Sequence, residues 1–276
     1  MGGFAARNNR AAPVSPCVFY KMHEATGATI SDSLGNGGAL TLFADSTGTP
    51  WSNRPNITPD GTNHYVQRDA DAFLQSLLRI DTAFGHIIQC LDFAYDGALT
   101  GNEVIMFAGT NNTSGGWGFG INSSGQIQML FRGVGSSALV TTAFAGSALS
   151  GYAGSYARIH LMVEIVRASA TTVDASLYVN GSSLAQLVGL STLGTGGTSP
   201  YGSLQTHGGG TQAYSLGVRP NAASGREQFL NSAGSNGRFG RWLAFRGATY
   251  DPALAAKVAL QGFENPGELP ECLRGI

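Results

Sequence analysis

The chain has 276 residues, of which 42% are hydrophobic and 12% charged, with 40 glycines and a formal net charge of −1. This length supports one large β domain or two small ones, and a chain of this size buries a core without disulfide staples. The near-neutral charge and the lack of a basic run argue against nucleic-acid binding. No run of about 18 apolar residues is present, so no membrane span is predicted.

Residues 1–16 (MGGFAARNNRAAPVSP) show no hydrophobic periodicity and are predicted to form an extended N-terminal arm. They lack the apolar core of a signal peptide, so we expect the protein to be made in a cytoplasm. Three cysteines follow, Cys17, Cys90 and Cys272. Their number is odd and their spacing fits neither a disulfide framework nor a zinc site, which predicts idle thiols.

A short strand and a helix are predicted in the first third of the chain. The strand covers 17–21, and a Gly-rich turn around Asp32 to Gly38 follows it. Residues 69–80 carry apolar side chains at helical spacing behind Asp69 or Asp71, either of which is a suitable N-cap. We expect this helix to close one end of a β-sandwich with an apolar face made of Phe73, Leu74, Leu77 and Leu78.

Alternating strands dominate the middle of the chain. We predict that 86–95 pairs with 103–109, that 116–122 pairs with 126–133, and that 158–168 pairs with 173–181. The dipeptide Asn180-Gly181 is typical of the turn at the end of a hairpin strand. One face of the last pair is predicted to be core: Ile159, Leu161, Val163, Ile165, Ala175, Leu177 and Val179.

The last third contains a long loop and a second helix. Residues 189–212 are rich in Gly, Thr and Ser and are predicted to form one long loop. Long loops are often functional, but the sequence assigns no role to this one. Asp251 is predicted to cap a second short helix that begins at Pro252. Residues 263–276 are predicted to form a C-terminal tail.

Two distinctive segments stand at opposite ends of the chain: HEATGATISDSLGNGGALTL at 23–42, and YSLGVRPN at 214–221 followed by NGRFGRW at 236–242. They resemble signatures of the laminin-G-like, concanavalin-type jelly-roll superfamily. The resemblance implies an all-β fold: a single antiparallel β-sandwich over 17–262 with two short helices, whose first and last strands close it. Members of such a superfold serve as lectins, glycanases, adhesion modules and virion proteins, so the fold alone does not give the function. The matching residues are Glu24, Gly27, Asp32, Ser33, Gly35, Asn36, Leu216, Gly217, Arg219, Pro220, Asn221, Gly237 and Arg238.

Enzyme chemistry is not indicated. A retaining glycosidase needs two carboxyl groups about 5 Å apart, and in glucanases of this superfamily they alternate along one strand. No glutamate of this chain has an acidic residue two positions further on, and neither a G-x-S-x-G nor an H-E-x-x-H motif occurs. We therefore expect a protein that is not an enzyme.

Calcium binding stays open as a less favoured alternative. The resemblance implies Asp32 and Asn36 as ligands in the early turn, since carboxylate and amide oxygens suit a hard cation. Many relatives also carry an aspartate in the closing strand, where this chain has Gly240 followed by Arg241. Because an arginine repels a cation, we expect Asp32 to cap its own turn instead, and no cofactor is predicted.

Sugar binding needs exposed aromatic faces and a few polar groups. Trp117 follows a flexible Gly/Ser loop and Trp51 lies in a Pro-flanked loop, so both are candidates for glycan contact at the rim of the sandwich. His207, in the 189–212 loop, is a third candidate. Trp242 is predicted to be core.

Two functions follow from these features. The first is a non-enzymatic structural component of a bacteriophage virion, a head decoration protein or a tail or fibre component. It would contact other virion proteins, form a homo-oligomer, and bind neither nucleic acid nor a membrane. The alternative is a carbohydrate-binding module or adhesin that recognises host-surface glycans.

Overall fold

The structure is a computed structural model. It describes residues 17–22, 24, 27–43, 57–59, 61–62, 64–69, 71–78, 80, 86–94, 102–109, 115–132, 139–149, 158–169, 171–191, 213–221, 225–227 and 237–247. The predicted arm, the second helix, the C-terminal tail and residues 192–212 of the predicted loop lie outside this part of the chain.

Within it the chain forms one helix and sixteen strands, and no helix there is long and apolar enough to cross a membrane. The helix is α1 (Ala72–Leu78). The strands are β1 (Cys17–Tyr20), β2 (Thr29–Ile30), β3 (Leu40–Phe43), β4 (Tyr65–Asp69), β5 (His86–Ala94), β6 (Glu103–Gly109), β7 (Gly116–Ile121), β8 (Gln126–Arg132), β9 (Val140–Ala148), β10 (Arg158–Arg167), β11 (Thr172–Val179), β12 (Ser182–Ser191), β13 (Ala213–Leu216), β14 (Arg219–Asn221), β15 (Gly225–Glu227) and β16 (Arg238–Gly247).

The strands build two antiparallel sheets and a small ribbon. The six-stranded sheet has the order β1-β16-β5-β10-β11-β12, the eight-stranded sheet has the order β2-β3-β4-β13-β6-β7-β8-β9, and β14 pairs with β15. One face of each sheet supplies side chains to a single shared core. The predicted antiparallel β-sandwich is therefore confirmed.

The two ends of the described chain meet in the six-stranded sheet. β1 pairs with β16, and Tyr20 lies opposite Trp242 with their rings stacked at a centroid distance of 5.3 Å. The Trp242 indole N–H donates to the Oε1 atom of Gln89 on β5, at 2.6 Å. Trp242 is a core residue, as predicted, and the first and last strands hold the sheet closed.

The hairpin of β10 and β11 follows its prediction. Leu161 lies opposite Val179 and Ile165 opposite Ala175, and all seven predicted core residues of this pair are buried in the shared core. Burying each large aliphatic side chain contributes about 1.5–3 kcal/mol. The next turn, Asn180-Gly181, joins β11 to β12. Its two φ angles are 51° and 76°, which fits the two-residue turn that the Asn-Gly sequence predicts.

Helix α1 is shorter than the predicted 69–80 because Asp69 belongs to β4. Asp71 is the N-cap, since its Oδ1 atom accepts from the backbone N–H of Leu74 at 2.9 Å. Leu77 and Leu78 join Leu74 in the shared core. The helix contacts β16, where the Nη1 atom of Arg246 donates to the Ser76 carbonyl oxygen at 2.7 Å. The helix thus packs its apolar face onto the sandwich core, as expected.

Two features of the strand prediction were wrong. β5 and β6 do not pair, because β5 lies between β16 and β10 whereas β6 lies between β13 and β7 in the other sheet. Residues 189–191 are not loop but the end of β12, a strand that the sequence pattern did not reveal. In β12 the register shifts between the pairs Ala175–Leu187 and Val173–Leu190, so a bulge breaks the alternation by which a strand is recognised.

Candidate functional site

The early turn is organised around one carboxylate. The Oδ1 atom of Asp32 accepts from the backbone N–H groups of Phe19, at 2.8 Å, and Leu34, at 3.1 Å. Its Oδ2 atom accepts from the N–H groups of Asn36 and Gly37, both at 2.8 Å. Four donors surround the two oxygens, so the predicted turn-capping role of Asp32 is confirmed.

The other polar residues of the first signature also hold the backbone. The Asn36 side-chain amide donates to the Cys17 carbonyl oxygen at 2.9 Å, and Glu24 accepts from the N–H of Ser31 at 3.1 Å. Among the residues that the structure describes, no three His, Cys, Asp or Glu side chains lie close enough together to hold a metal ion. The Asp32 carboxylate is thus surrounded by N–H donors, whereas a calcium ion would need several oxygen atoms facing it.

Trp117 does not lie at a rim, and this part of the site prediction was wrong. Its side chain is 1% exposed and belongs to the core. The indole N–H donates to the carbonyl oxygen of Leu78 at 2.8 Å and so satisfies the last residue of α1. Trp51 and His207 lie outside the described residues.

The glycines of β7 explain the orientation of Trp117. Gly116 and Gly118 alternate with Trp117 and Phe119, which places the large side chains in the core and the glycines on the outer face. A Cβ atom on Gly116 would lie 2.6 Å from the ring of Phe107 on β6. These glycines therefore leave room for an aromatic ring, which fits the packing role expected of them.

An aromatic pair lies on the outer face of the eight-stranded sheet. Leu42 of β3 and Val66 of β4 point into the core, so Phe43 and Tyr65 point outwards from the same strands. The Phe43 and Tyr65 rings stack at a centroid distance of 4.7 Å and an angle of 13°. Both side chains are half-buried, and Thr41, on the same face of β3, is exposed.

This arrangement, which we call the aromatic platform (Thr41, Phe43 and Tyr65), offers two adjoining rings and two hydroxyl groups. Because the rings project from paired strands, their spacing is fixed before any ligand arrives. Neither Phe43 nor Tyr65 was among the residues that the sequence indicated as candidates for glycan contact. The alternation Leu40-Thr41-Leu42-Phe43 was the signal that separates the outward Phe43 from its buried neighbours.

A charged cluster lies on the outer face of the six-stranded sheet. Asp92 of β5 is 2% exposed. Its Oδ1 atom lies 2.8 Å from Nδ1 of His160 on β10, and its Oδ2 atom accepts from Nε of Arg241 on β16 at 2.6 Å. The cluster therefore joins three adjacent strands through one carboxylate.

The irregular register of β16 accounts for the position of Arg241. Phe239 pairs with Phe93 and Trp242 with Leu91, so Gly240 and Arg241 together lie opposite Asp92. Such a bulge re-aims a side chain, and here it turns the guanidinium onto the carboxylate. Burial raises the pKa of Asp92, but His160 and Arg241 outweigh it, so the pKa of this carboxyl lies below its ordinary value.

The described cysteines are buried and free, as predicted, while Cys272 lies outside the described residues. Burial, reinforced by the charge of Asp32, raises the pKa of the Cys17 thiol to about 11. Burial likewise raises the pKa of Cys90. Neither thiol is a nucleophile near neutral pH.

No protein-family profile and no curated protein matches the chain. Solved structures do match. A Trypanosoma rangeli sialidase in complex with sialic acid is 13% identical, with a TM-score of 0.53, over 89% of this chain and 33% of the sialidase. A botulinum neurotoxin type C structure, whose cell entry depends upon interaction with two ganglioside molecules, is 10% identical, with a TM-score of 0.55, over 89% of this chain and 50% of the toxin chain.

The binding domain of botulinum neurotoxin serotype D/C is similar to the same degree, with 9% identity and a TM-score of 0.51 over 89% of this chain and 52% of that domain's chain. The chain thus spans between a third and about half of the length of these proteins. At such low identity the likeness concerns the fold. It shows that the chain shares a β-sandwich fold with domains of these proteins.

Proposed function

We propose that the protein is a non-enzymatic carbohydrate-binding module that recognises a surface glycan at the aromatic platform. The stacked, half-exposed pair of Phe43 and Tyr65 carries this proposal. A sugar ring presents an apolar face of C–H groups that packs against an aromatic ring, while its hydroxyls need donors and acceptors at the edge. Tyr65 and Thr41 supply hydroxyls of that kind.

The comparisons support a glycan rather than another ligand class. The similar sialidase structure holds sialic acid, and the similar toxin depends on gangliosides for cell entry. Ligand sites combine rigid apolar surface with a small number of oriented polar groups, as the platform does. Binding at such a site is expected to be weak for one sugar and to gain strength from several copies.

Three aspartates of the described residues support the proposal that the protein is not an enzyme, because each already has hydrogen-bond or ion-pair partners. Asp32 accepts four backbone N–H groups, Asp71 caps α1 and Asp92 is paired with His160 and Arg241. A glycosidase needs one carboxyl group that keeps its proton near neutral pH, and such a group has a raised pKa. The lowered pKa of Asp92 is the opposite of that requirement.

A glycan array probed with the purified full chain tests the proposal. We expect saturable signals that both Phe43→Ala and Tyr65→Ala remove. Ser124→Ala is the control, because Ser124 is an exposed residue in the turn between β7 and β8 and belongs to neither β3, β4 nor β12. A blank array for the unaltered chain, or equal signals for Phe43→Ala and the control, contradicts the proposal.

A second candidate is a structural component of a bacteriophage virion, a head decoration or a tail or fibre component made in the host cytoplasm. The observation that favours it is the edge strand β12, which carries no charged residue and exposes Val188. Such edges suit contacts with neighbouring proteins. Mass spectrometry of purified particles from a phage that encodes this chain tests it, because a structural component must be present in stoichiometric amounts.

A further inference from the structure

β12 is the outer strand of the six-stranded sheet within the part of the chain that the structure describes. Its ten residues, Ser182–Ser191, pair with β11 on one side. Seven of the ten are exposed, and only Ala185, Leu187 and Leu190 are half-buried against the core. Across the sandwich the strand contacts β9, the outer strand of the eight-stranded sheet, and no other strand of the described residues pairs with the side of β12 away from β11.

The exposed apolar surface of the described residues is concentrated on the same strand. Leu184 is 37% exposed and Val188 is 73% exposed, and these are the large hydrophobic side chains that the described part of the chain exposes. Leu184 and Val188 lie at the two bulges of β12, where the register of its pairing with β11 shifts. A bulge can protect an edge by twisting it away, yet here the bulges carry leucine and valine rather than a charge.

The other edge of this sheet differs. The four residues of β1 are all buried, each at 1% exposed or less. Natural edge strands are protected from pairing by lysine, proline or inward charges. The sequence of β12, SSLAQLVGLS, contains none of these. Among the described residues, β12 is thus the more exposed edge of the six-stranded sheet, and it lacks the side chains that prevent association.

We propose that β12 is a self-association strand and that its partner is β12 of a second copy of this chain. Two copies would pair antiparallel about a two-fold axis, so that their six-stranded sheets join into one. The absence of charge on β12 favours a like partner, since no repulsion arises when the strand meets itself. This proposal does not depend on glycan binding.

The sequence of the strand also fits one register. An axis that passes beside Gln186 places Gln186 opposite its own copy and Leu184 opposite Val188 of the second copy. The two exposed apolar residues of each chain are then covered by those of the other. Antiparallel partners that lie directly opposite each other have Cα atoms about 4.5–5.5 Å apart, which is within the range of roughly 4.4–6.8 Å that a disulfide spans.

The oligomeric state of the full chain is the first test, measured by analytical ultracentrifugation. We expect a dimer for the unaltered protein and for Thr29→Lys, a control on the exposed edge strand β2 of the other sheet. We expect a monomer for Val188→Lys, which places two ammonium groups in the interface. A monomeric unaltered protein, a dimeric Val188→Lys, or equal loss of the dimer in both variants overturns the proposal.

Cross-linking tests the register. In a Cys272→Ser background, Gln186→Cys is expected to form a covalent dimer under mild oxidation, because Cys17 and Cys90 are buried. Thr29→Cys in the same background is expected to remain uncrosslinked. A Gln186→Cys protein that dimerises without cross-linking contradicts pairing about Gln186, and both results are independent of any glycan assay.

Discussion

The early turn and the aromatic platform lie on neighbouring strands and show two different uses of polar and aromatic residues. The turn contains the densest sequence signature of the chain, and its Asp32 carboxylate faces four backbone N–H groups. The platform has no signature, and its rings are half-exposed on a regular pair of strands. The comparison indicates that the signature specifies a backbone shape, whereas the proposed glycan contacts are made by side chains outside the signature.

The largest expected effect concerns Trp117, which sequence reasoning placed with the ligand. Replacing this buried side chain by alanine leaves a cavity and removes the donor to Leu78, so we expect Trp117→Ala to lower the free energy of unfolding by about 3–5 kcal/mol. Urea denaturation measures the loss. Glycan binding by the folded fraction should be unchanged, and a selective loss of binding without destabilisation would return Trp117 to the ligand site.

Asp32→Ala should have the next largest effect. The substitution leaves the N–H of the buried Phe19 without its acceptor, and we expect a loss of about 3 kcal/mol in thermal or urea unfolding. Asp174→Ala is the matched control, because Asp174 accepts a single N–H, that of Gly189, at 2.8 Å. Its expected cost is about 1 kcal/mol. Equal costs for the two variants would show that the turn is not organised by its carboxylate.

The Asp92 cluster gives a smaller, pH-dependent effect. Because the pKa of Asp92 is lowered in the folded state, its contribution to stability is present above the unfolded pKa of about 3.9 and is lost as the pH falls through the folded pKa. The slope for one proton is about 1.4 kcal/mol per pH unit. Urea unfolding between pH 5 and 2 should therefore be less steeply pH-dependent in Asp92→Asn than in the unaltered protein. Identical pH profiles would contradict the lowered pKa.

Much of the fold was predictable because turn-forming residues lie where the alternation of apolar and polar residues in one strand ends and that of the next begins. The β7–β8 turn is one example: the Oδ1 atom of Asn122 accepts from the N–H groups of Ser124 and Gln126, and Gly125 has a φ of 72°. The pairing of β5 with β6 failed because β6 is buried on both faces, so its sequence does not reveal the sheet to which it belongs.

The site was less predictable for a physical reason. Trp117 was assigned to a rim because Gly and Ser precede it in the sequence. The decisive signal was its alternation with Gly116 and Gly118, at which a larger side chain would clash. Phe43 was recoverable from the alternation of β3. Its stacking on Tyr65 was not, since it depends on the register between β3 and β4. The exposed positions of Leu184 and Val188 on β12 likewise lie at bulges, which the sequence pattern does not predict.

The most direct test of glycan recognition at the aromatic platform is a binding isotherm of the full chain and of Phe43→Ala, measured with the strongest glycan from the array. We expect Phe43→Ala to lose saturable binding while its free energy of unfolding changes by about 1 kcal/mol or less, because the ring is half-exposed. Binding that survives in a folded Phe43→Ala protein would show that the glycan is held elsewhere and would contradict the account.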